Sequence, residues 1–415
     1  MSILRRAFAR LPVAVQDPVV AALRRRKRNT RPVSVAALTT RALGNLNPLR
    51  IVARPGDAAR ITMVTDSIVP EQLMGGVGTA LLLAATMAEA WGRPLRIVTR
   101  QQRHDIAALH GLLKLQGVAF TGTIEVLHFT GAATDAAVPL GPDDIVLTTS
   151  WWSTWSARHA VPPHQIVYLL QEDERMFYAG GDQQLLCDEV LADTGIRYVI
   201  NTALLLDHFR QTGTTGPAAN GIAFEPAFPA SIYHPAPHDG RSNLFFYARP
   251  NHARNLFLRG IAVLERAFAE GLFPAAEWNV HFFGVDVPHI DFGDRAIEYH
   301  DTVPWAAYAE LVRQADLGLS LMYTPHPSYP PLDLAACGAV VVTNRFGPKG
   351  TERHYSDNIL YAPLSIDALV AALREGAARA RDTGVREAAL RDDRLLRDWA
   401  TSFAPVLAAL RPAAR

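Results

Sequence analysis

Ser320-Leu321-Met322-Tyr323-Thr324-Pro325-His326-Pro327-Ser328-Tyr329-Pro330-Pro331-Leu332-Asp333-Leu334-Ala335-Ala336-Cys337-Gly338-Ala339-Val340-Val341-Val342-Thr343-Asn344 reads as a buried strand, a polar loop, a short helix, a glycine stop and a second buried strand. Val340, Val341 and Val342 are apolar and β-branched, which suits a parallel sheet covered on both faces. The loop is crowded with proline, histidine, serine and tyrosine. It falls at the carboxyl end of a strand, the edge where open α/β sheets take ligands. A helix starting there would aim its free N–H groups at an anion.

The same alternation of strand and helix runs outward from this stretch in two series. Short apolar runs predict strands over 61–65, 95–99, 124–129, 144–149, 165–170 and 198–201. Leu81, Leu82, Ala85, Ala88 and Trp91 sit near helical spacing and predict a helix over 77–91. Between 224 and 241 the rhythm breaks at Pro226, Pro229, Pro235, Pro237 and Gly240, a density that stops helices and central strands. A second series follows, with strands over 244–248, 278–284, 317–322, 339–343 and 359–362 and helices over 255–270, 305–314 and 366–378. The tail over 385–410 reads as helical. The expectation is an α/β fold of two Rossmann-like parallel-sheet domains facing across a cleft. The boundaries fall at 1–55 (a basic extension), 56–235, 236–380 and 381–415 (terminal helices packing back across the domain junction). Such a cleft suits two ligands that must meet, one per domain.

Composition narrows the function. A chain of 415 residues with 49% hydrophobic and 20% charged residues has the make-up of a globular protein with room for two domains. A net charge of +1 gives no global field that selects nucleic acid. Cys187 and Cys337 are too few for a zinc cluster or a disulfide framework, and their helix-like surroundings suit core packing in a reducing compartment. No run of about 18 apolar residues predicts a membrane span. The first residues lack the apolar region of a signal peptide, so the expected location is cytoplasmic. Arg24-Arg25-Arg26-Lys27-Arg28 follows the apolar stretch 18–23. It reads either as a solvated basic arm or as a patch for peripheral contact with anionic lipid at the inner membrane face.

Several residues stand where chemistry is expected. In Phe245-Phe246-Tyr247-Ala248-Arg249-Pro250-Asn251-His252-Ala253-Arg254, a strand ends and two arginines enter a helix. Arginine's planar fork suits bidentate phosphate binding, although a helix-entry salt bridge uses the same residues. Ser328 and Tyr329 offer hydroxyl and N–H donors, and His326 serves either as a donor or as packing. Asp333 reads as an acceptor for sugar hydroxyls or as a carboxylate favouring the helix dipole. In the first half, Gly75, Gly76 and Gly78 permit close backbone approach to a ligand. They fit neither G-x-G-x-x-G nor a P-loop. Trp152, one of three indoles in the loop 150–155, could stack on a sugar ring or simply be buried. Glu172 and Asp173, followed by Glu174, lie after the strand 165–170, and Asp66 closes the first strand. Glu172, Asp173 and Asp66 are the candidate bases for deprotonating a hydroxyl. No Asp-x-Asp stands at a strand end to hold a divalent ion, and no residue is assigned to a metal or a cofactor.

The pair Arg249 and Arg254, the glycine loop and Pro331-Leu332-Asp333-Leu334-Ala335-Ala336-Cys337-Gly338 together resemble nucleotide-sugar glycosyltransferases of the GT-B architecture, and among them the large family 4 group. In that group an Arg/Lys pair after the first strand of the C-terminal domain holds the donor diphosphate, and Arg249 and Arg254 fall at those places. The second glutamate of the group's E-x7-E element falls on Asp333. The first falls on Pro325, which has no carboxylate, so the sequence departs from that motif. The stretch 325–333, the Phe246-Tyr247-Ala248-Arg249-Pro250 element and Gln171 with its acidic cluster are more closely similar to the rhamnosyltransferase WsaF type. The resemblance spans roughly 60–378. It implies a nucleoside-diphosphate sugar as donor, with dTDP-rhamnose as the example, and a glycan or lipid-linked glycan of the bacterial surface as acceptor. Thr302 is then expected to contact the base, with Gly76, Trp152 and Glu172 on the acceptor side. A sugar-nucleotide epimerase of the same architecture and a non-catalytic nucleotide-sugar-binding subunit remain the alternatives.

Overall fold

The computed structural model describes residues 34, 35, 38, 43–70, 73, 75–102, 106–132, 135–237, 240–301, 303 and 305–412. Thr302 and the basic stretch 24–28 lie outside the described residues. The chain up to Asn47 forms a unit of its own, in which Gly44–Leu46 is a 3-10 turn.

From Pro48 onward the chain runs β1 (Ile51–Ala53), β2 (Ile61–Thr65), α1 (Gly76–Ala90), β3 (Leu95–Thr99), α2 (Ala107–Leu115), β4 (Ile124–His128), β5 (Val138–Leu140) and β6 (Ile145–Thr148). It continues through α3 (Trp151–Arg158), β7 (Ile166–Leu170), α4 (Asp182–Leu191), β8 (Arg197–Asn201), α5 (Ala203–Gln211), α6 (Thr215–Asn220) and β9 (Gly221–Phe224). The second half comprises β10 (Ser242–Tyr247), α7 (Phe257–Ala269), β11 (Trp278–Phe283), β12 (Glu298–His300), α8 (Trp305–Arg313), β13 (Leu317–Leu319), α9 (Tyr329–Ala336) and β14 (Val340–Asn344). It closes with β15 (Ile359–Ala362), α10 (Ile366–Ala380), α11 (Thr383–Arg391) and α12 (Trp399–Leu410).

Among the described residues two large parallel sheets form, the first in the order β4-β3-β2-β6-β7-β8-β9 and the second β12-β11-β10-β13-β14-β15, with β1 and β5 as a separate two-stranded parallel sheet. Strands β2, β3, β7 and β14 are buried at every position. Their runs of β-branched and apolar residues therefore suit a sheet with helices on both faces. Chain order reverses between β2 and β6 in the first sheet and between β10 and β13 in the second. Ligand crevices open at the carboxyl ends of strands at such reversals. Asp66 and Ser150 follow β2 and β6, and Arg249 and Ser320 follow β10 and β13, so the candidate residues cluster at both reversal points.

Three sequence expectations are corrected. The strand predicted over 317–322 stops at Leu319. The Asn344 side chain accepts from the Met322 N–H at 2.7 Å and donates to its C=O at 3.0 Å, in place of a sheet ladder. The three indoles lie not in a loop but on α3, which Ser150 starts with a capping box to Ser153. The tail is two helices, with Asp382 and Asp398 as their N-caps. Between them Leu396 bridges to Ala227, and its carbonyl accepts the Phe228 N–H at 2.7 Å. The last helix then returns to the first sheet, burying Trp399, Phe403, Val406 and Leu410 in the core that holds Phe224.

Candidate functional site

The facing carboxyl edges of the two sheets meet through charged side chains. On the second sheet, Arg249 follows β10 half-buried and donates to the Tyr247 hydroxyl at 3.0 Å. Its other nitrogen lies 2.8 Å from His252 Nε2. Burial and the charges of Arg249 and Arg254 push His252 down to about 4, so its ring is neutral and accepts from Arg249. Arg254 sits on a 3-10 turn ahead of α7, where Leu256 adopts φ 51° to redirect the chain. Its guanidinium carbon stands 4.3 Å over the Phe177 ring, and its Nε is 3.8 Å from Glu172 Oε2. That Nε has no hydrogen-bond partner among the described residues.

A third cation joins this group that the sequence reading missed. Lys349, 0% exposed, donates from Nζ to the Met322 carbonyl at 2.6 Å. Burial pushes it down to about 7 against the attraction of Glu172. It lies in Phe346-Gly347-Pro348-Lys349, just past the buried strand β14, and that position after a strand was the only available signal.

The first sheet contributes the carboxylates, and their environments separate them. Glu172, 5% exposed, is raised to about 7 by burial, with Arg254, Thr324 and Lys349 pulling it back. Its Oε1 has no hydrogen-bond partner among the described residues. Burial also acts on Asp173, but hydrogen bonds from Arg175 and His208 win and lower it to about 2. Arg175 donates to both its oxygens at 2.8 Å. Asp173 is thus held as a structural ion pair and is a poor base, contrary to the sequence expectation. Glu174 accepts the first N–H of α3, from Trp151, at 2.7 Å, and burial raises it to about 8. Asp66 takes the Trp152 indole N–H at 2.9 Å on Oδ2, and burial raises it against that bond and Arg100. Trp152 therefore orients a candidate base and does not stand free as a stacking platform.

The loop around His326 and Ser328 is folded inward. His326 Nδ1 accepts the Ser328 N–H at 2.9 Å, which places its remaining proton on Nε2. Burial, and after it Lys349, push His326 down to about 3, so the ring is neutral. Ser328 takes φ 72° as the N-cap of α9. The expected fan of N–H groups is halved, because Pro330 and Pro331 in the first turn carry no amide hydrogen. Tyr329 does not point its hydroxyl at open space. It lies 2.6 Å from Thr79 Oγ1 and accepts from Asn201 Nδ2 at 2.8 Å, which joins the second sheet's helix to the first sheet. Asp333 is 4% exposed and accepts from the Tyr308 hydroxyl at 3.0 Å. Burial raises it to about 7 against Tyr308 and Tyr233.

The glycine loop is tight against its surroundings. A Cβ on Gly78 would lie 2.1 Å from the Leu73 carbonyl oxygen, and Gly75 takes φ 62°. The Gly76 carbonyl accepts from Gln171 Nε2 at 2.7 Å, which ties this loop to the end of β7 beside Glu172. Asn201 and Thr79 give no motif signal, since their partners are far away in sequence. A hollow of about 500 Å³ lined by His164, Arg197 and Asn220 lies at the opposite, amino-terminal edge of the first sheet, remote from these groups.

The chain matches two family models, described as the N-terminal domain of WsaF over residues 60–202 and the C-terminal domain of WsaF over residues 242–374. The O-antigen biosynthesis protein RfbC of Myxococcus xanthus is 32% identical over 250 residues, which is 57% of this chain and 19% of that protein. The chain thus spans about a fifth of the length of that relative. Among solved structures, sucrose-phosphate synthase from Thermosynechococcus elongatus superposes with a TM-score of 0.57 at 14% identity, covering 85% of this chain and 97% of that one. Anabaena HepE in complex with UDP and glucose gives 0.57 at 13% identity, covering 86% and 100%. Trehalose 6-phosphate synthase from Burkholderia multivorans gives 0.56 at 11% identity, covering 85% and 98%. At these identities the likeness to solved structures shows the fold.

Proposed function

Because the chain belongs to the WsaF family of GT-B glycosyltransferases, we propose that it moves a hexosyl group from a nucleoside-diphosphate sugar to a hydroxyl of a bacterial surface glycan, with dTDP-rhamnose the donor to test first. The observation that carries this reading is the meeting of Arg254 and Lys349 with Glu172 across facing sheet edges. The two cations, with Arg249 beside them, suit a diphosphate whose charge grows as it leaves. Glu172 is a carboxylate poised near neutral pH, suited to accept a proton from an acceptor hydroxyl. In the step, the bond from the anomeric carbon to the diphosphate oxygen breaks and a bond from that carbon to the acceptor oxygen forms. The hydroxyl proton passes to Glu172, and the bonding pair stays with the diphosphate held by the arginines. Asp66, oriented by Trp152, stands as the second carboxylate on the acceptor side.

HepE, with UDP and glucose in its solved complex, and RfbC, an O-antigen biosynthesis protein, support a nucleotide sugar and a surface glycan as the two substrates. The contacts of Tyr329 with Thr79 and Asn201 close the two halves on each other, so they part for substrates to enter and re-form to exclude water. The test is release of nucleoside diphosphate by the purified chain with and without a glycan acceptor. The reading requires release that depends on the acceptor together with glycosylated product. Turnover of the nucleotide sugar without an acceptor, yielding an epimer, would refute it.

A further inference from the structure

Outside the group of charged residues described above, three side chains converge on one face of the second sheet. Among the described residues strand β12 is an edge strand paired with β11 alone, with His281 opposite Glu298 and Phe283 opposite His300. His281, Glu298 and His300 therefore share a face. His281 Nδ1 lies 3.1 Å from His300 Nε2 and 3.3 Å from Glu298 Oε2. All three donor atoms lie within 4.8 Å of one another. A point equidistant from them is thus no more than about 2.4 Å from each, close to the roughly 2.0–2.2 Å of zinc bonds to imidazole and carboxylate.

The surrounding hydrogen bonds decide which atom of His281 carries its proton. Asn243 Nδ2 donates to the Gln314 carbonyl at 2.8 Å, which turns Asn243 Oδ1 the other way as an acceptor. That oxygen receives Asn279 Nδ2 at 3.0 Å and faces His281 Nε2 at 3.3 Å. Nε2 is therefore the N–H of a neutral ring, and Nδ1 presents a lone pair to a carboxylate oxygen. Two acceptors facing each other at this range repel unless a proton or a metal cation sits between them. An N–H held by an amide carbonyl behind the ring is also the usual support of a metal-binding histidine.

We propose that His281 Nδ1, His300 Nε2 and Glu298 Oε2 bind one divalent transition-metal ion, zinc being the ion that two imidazoles and one carboxylate suit. Magnesium and calcium prefer all-oxygen shells. Three protein ligands leave a fourth position for water. The ion clips the three-residue edge strand β12 to β11. It takes no part in sugar transfer, because none of its ligands belongs to the interdomain group. The ligands follow no short metal-binding spacing, and only strand pairing brings them together.

The test uses the full chain without an affinity tag, stripped with a chelator and titrated with zinc chloride by calorimetry while the thermal midpoint is followed. The result expected is one equivalent bound per chain and a midpoint that rises with zinc. His281 is buried and its replacement could prevent folding, so the variants are Glu298→Gln with His300→Ala. That double variant should bind zinc more than about 100-fold more weakly, and Asn243→Ala about 10–100-fold more weakly. Absence of saturable binding to the unaltered chain, or unchanged affinity in the folded double variant, would overturn the proposal.

Discussion

Replacing Asp333 by asparagine isolates the cost of one buried charge. The carboxyl is 4% exposed, with the Tyr308 hydroxyl on one oxygen and no hydrogen-bond partner for the other among the described residues. Burial raises it from 3.8 to about 7. A group raised on folding contributes stability that is present below its unfolded value and lost as pH climbs to its folded value. The native chain should therefore lose stability from Asp333 between pH 4 and 7 and little more above that. At about 1.4 kcal/mol per unit, the loss is on the order of 4 kcal/mol. Asparagine has the same shape and no charge, so its stability relative to the native chain should improve by that amount over the same window. For a unit as large as 48–415 the relative shift in thermal midpoint is about 5 °C. Midpoints of both chains measured from pH 4 to 8 check this, and parallel curves would refute the assignment of a buried, titrating Asp333. The same samples report on ligand: if Asp333 also accepts a sugar hydroxyl, nucleotide-sugar affinity falls while stability rises.

Further outcomes follow from the same geometry. Glu172→Gln should lower kcat by about 10²–10⁴, and kcat/KM of the native enzyme should rise with pH through about 7 as Glu172 loses its proton; a pH-independent profile would remove it as the base. Lys349→Met should raise thermal stability below about pH 7, where the buried ammonium is unfavourable, and the gain should shrink towards pH 10.5. The same variant should bind nucleoside diphosphate more weakly. Gly78→Ala should destabilise the chain by about 1–3 kcal/mol through the clash with the Leu73 carbonyl, which a thermal melt detects.

The sheet strands were legible because their signal is local. The predicted spans 61–65, 95–99 and 359–362 coincide with β2, β3 and β15, since each is a short apolar run bounded by polar residues. The short helix α3 was not, because three tryptophans disguise a helix whose start is set by Ser150 and Ser153. The break at Leu396 depends on a tertiary bridge to Ala227 that no periodicity carries. In the candidate site, position after a strand pointed to Arg254 and Glu172. It could not show that Asp173 is held by hydrogen bonds to Arg175 and His208, which requires distances. Lys349 and the bridge from Tyr329 to Thr79 and Asn201 were hidden for the same reason: each gains its meaning from a partner on the other side of the interdomain edge or from burial in the fold.

In the proposed reaction Arg254, facing Glu172 across the two sheets, grips the diphosphate. Calorimetric titration of dTDP into the native chain and into Arg254→Ala tests it most directly. Loss of one charged hydrogen-bonding partner, worth roughly 1.5–3 kcal/mol, predicts binding about 10- to 150-fold weaker in the variant. Equal affinity in the two folded chains would contradict the account.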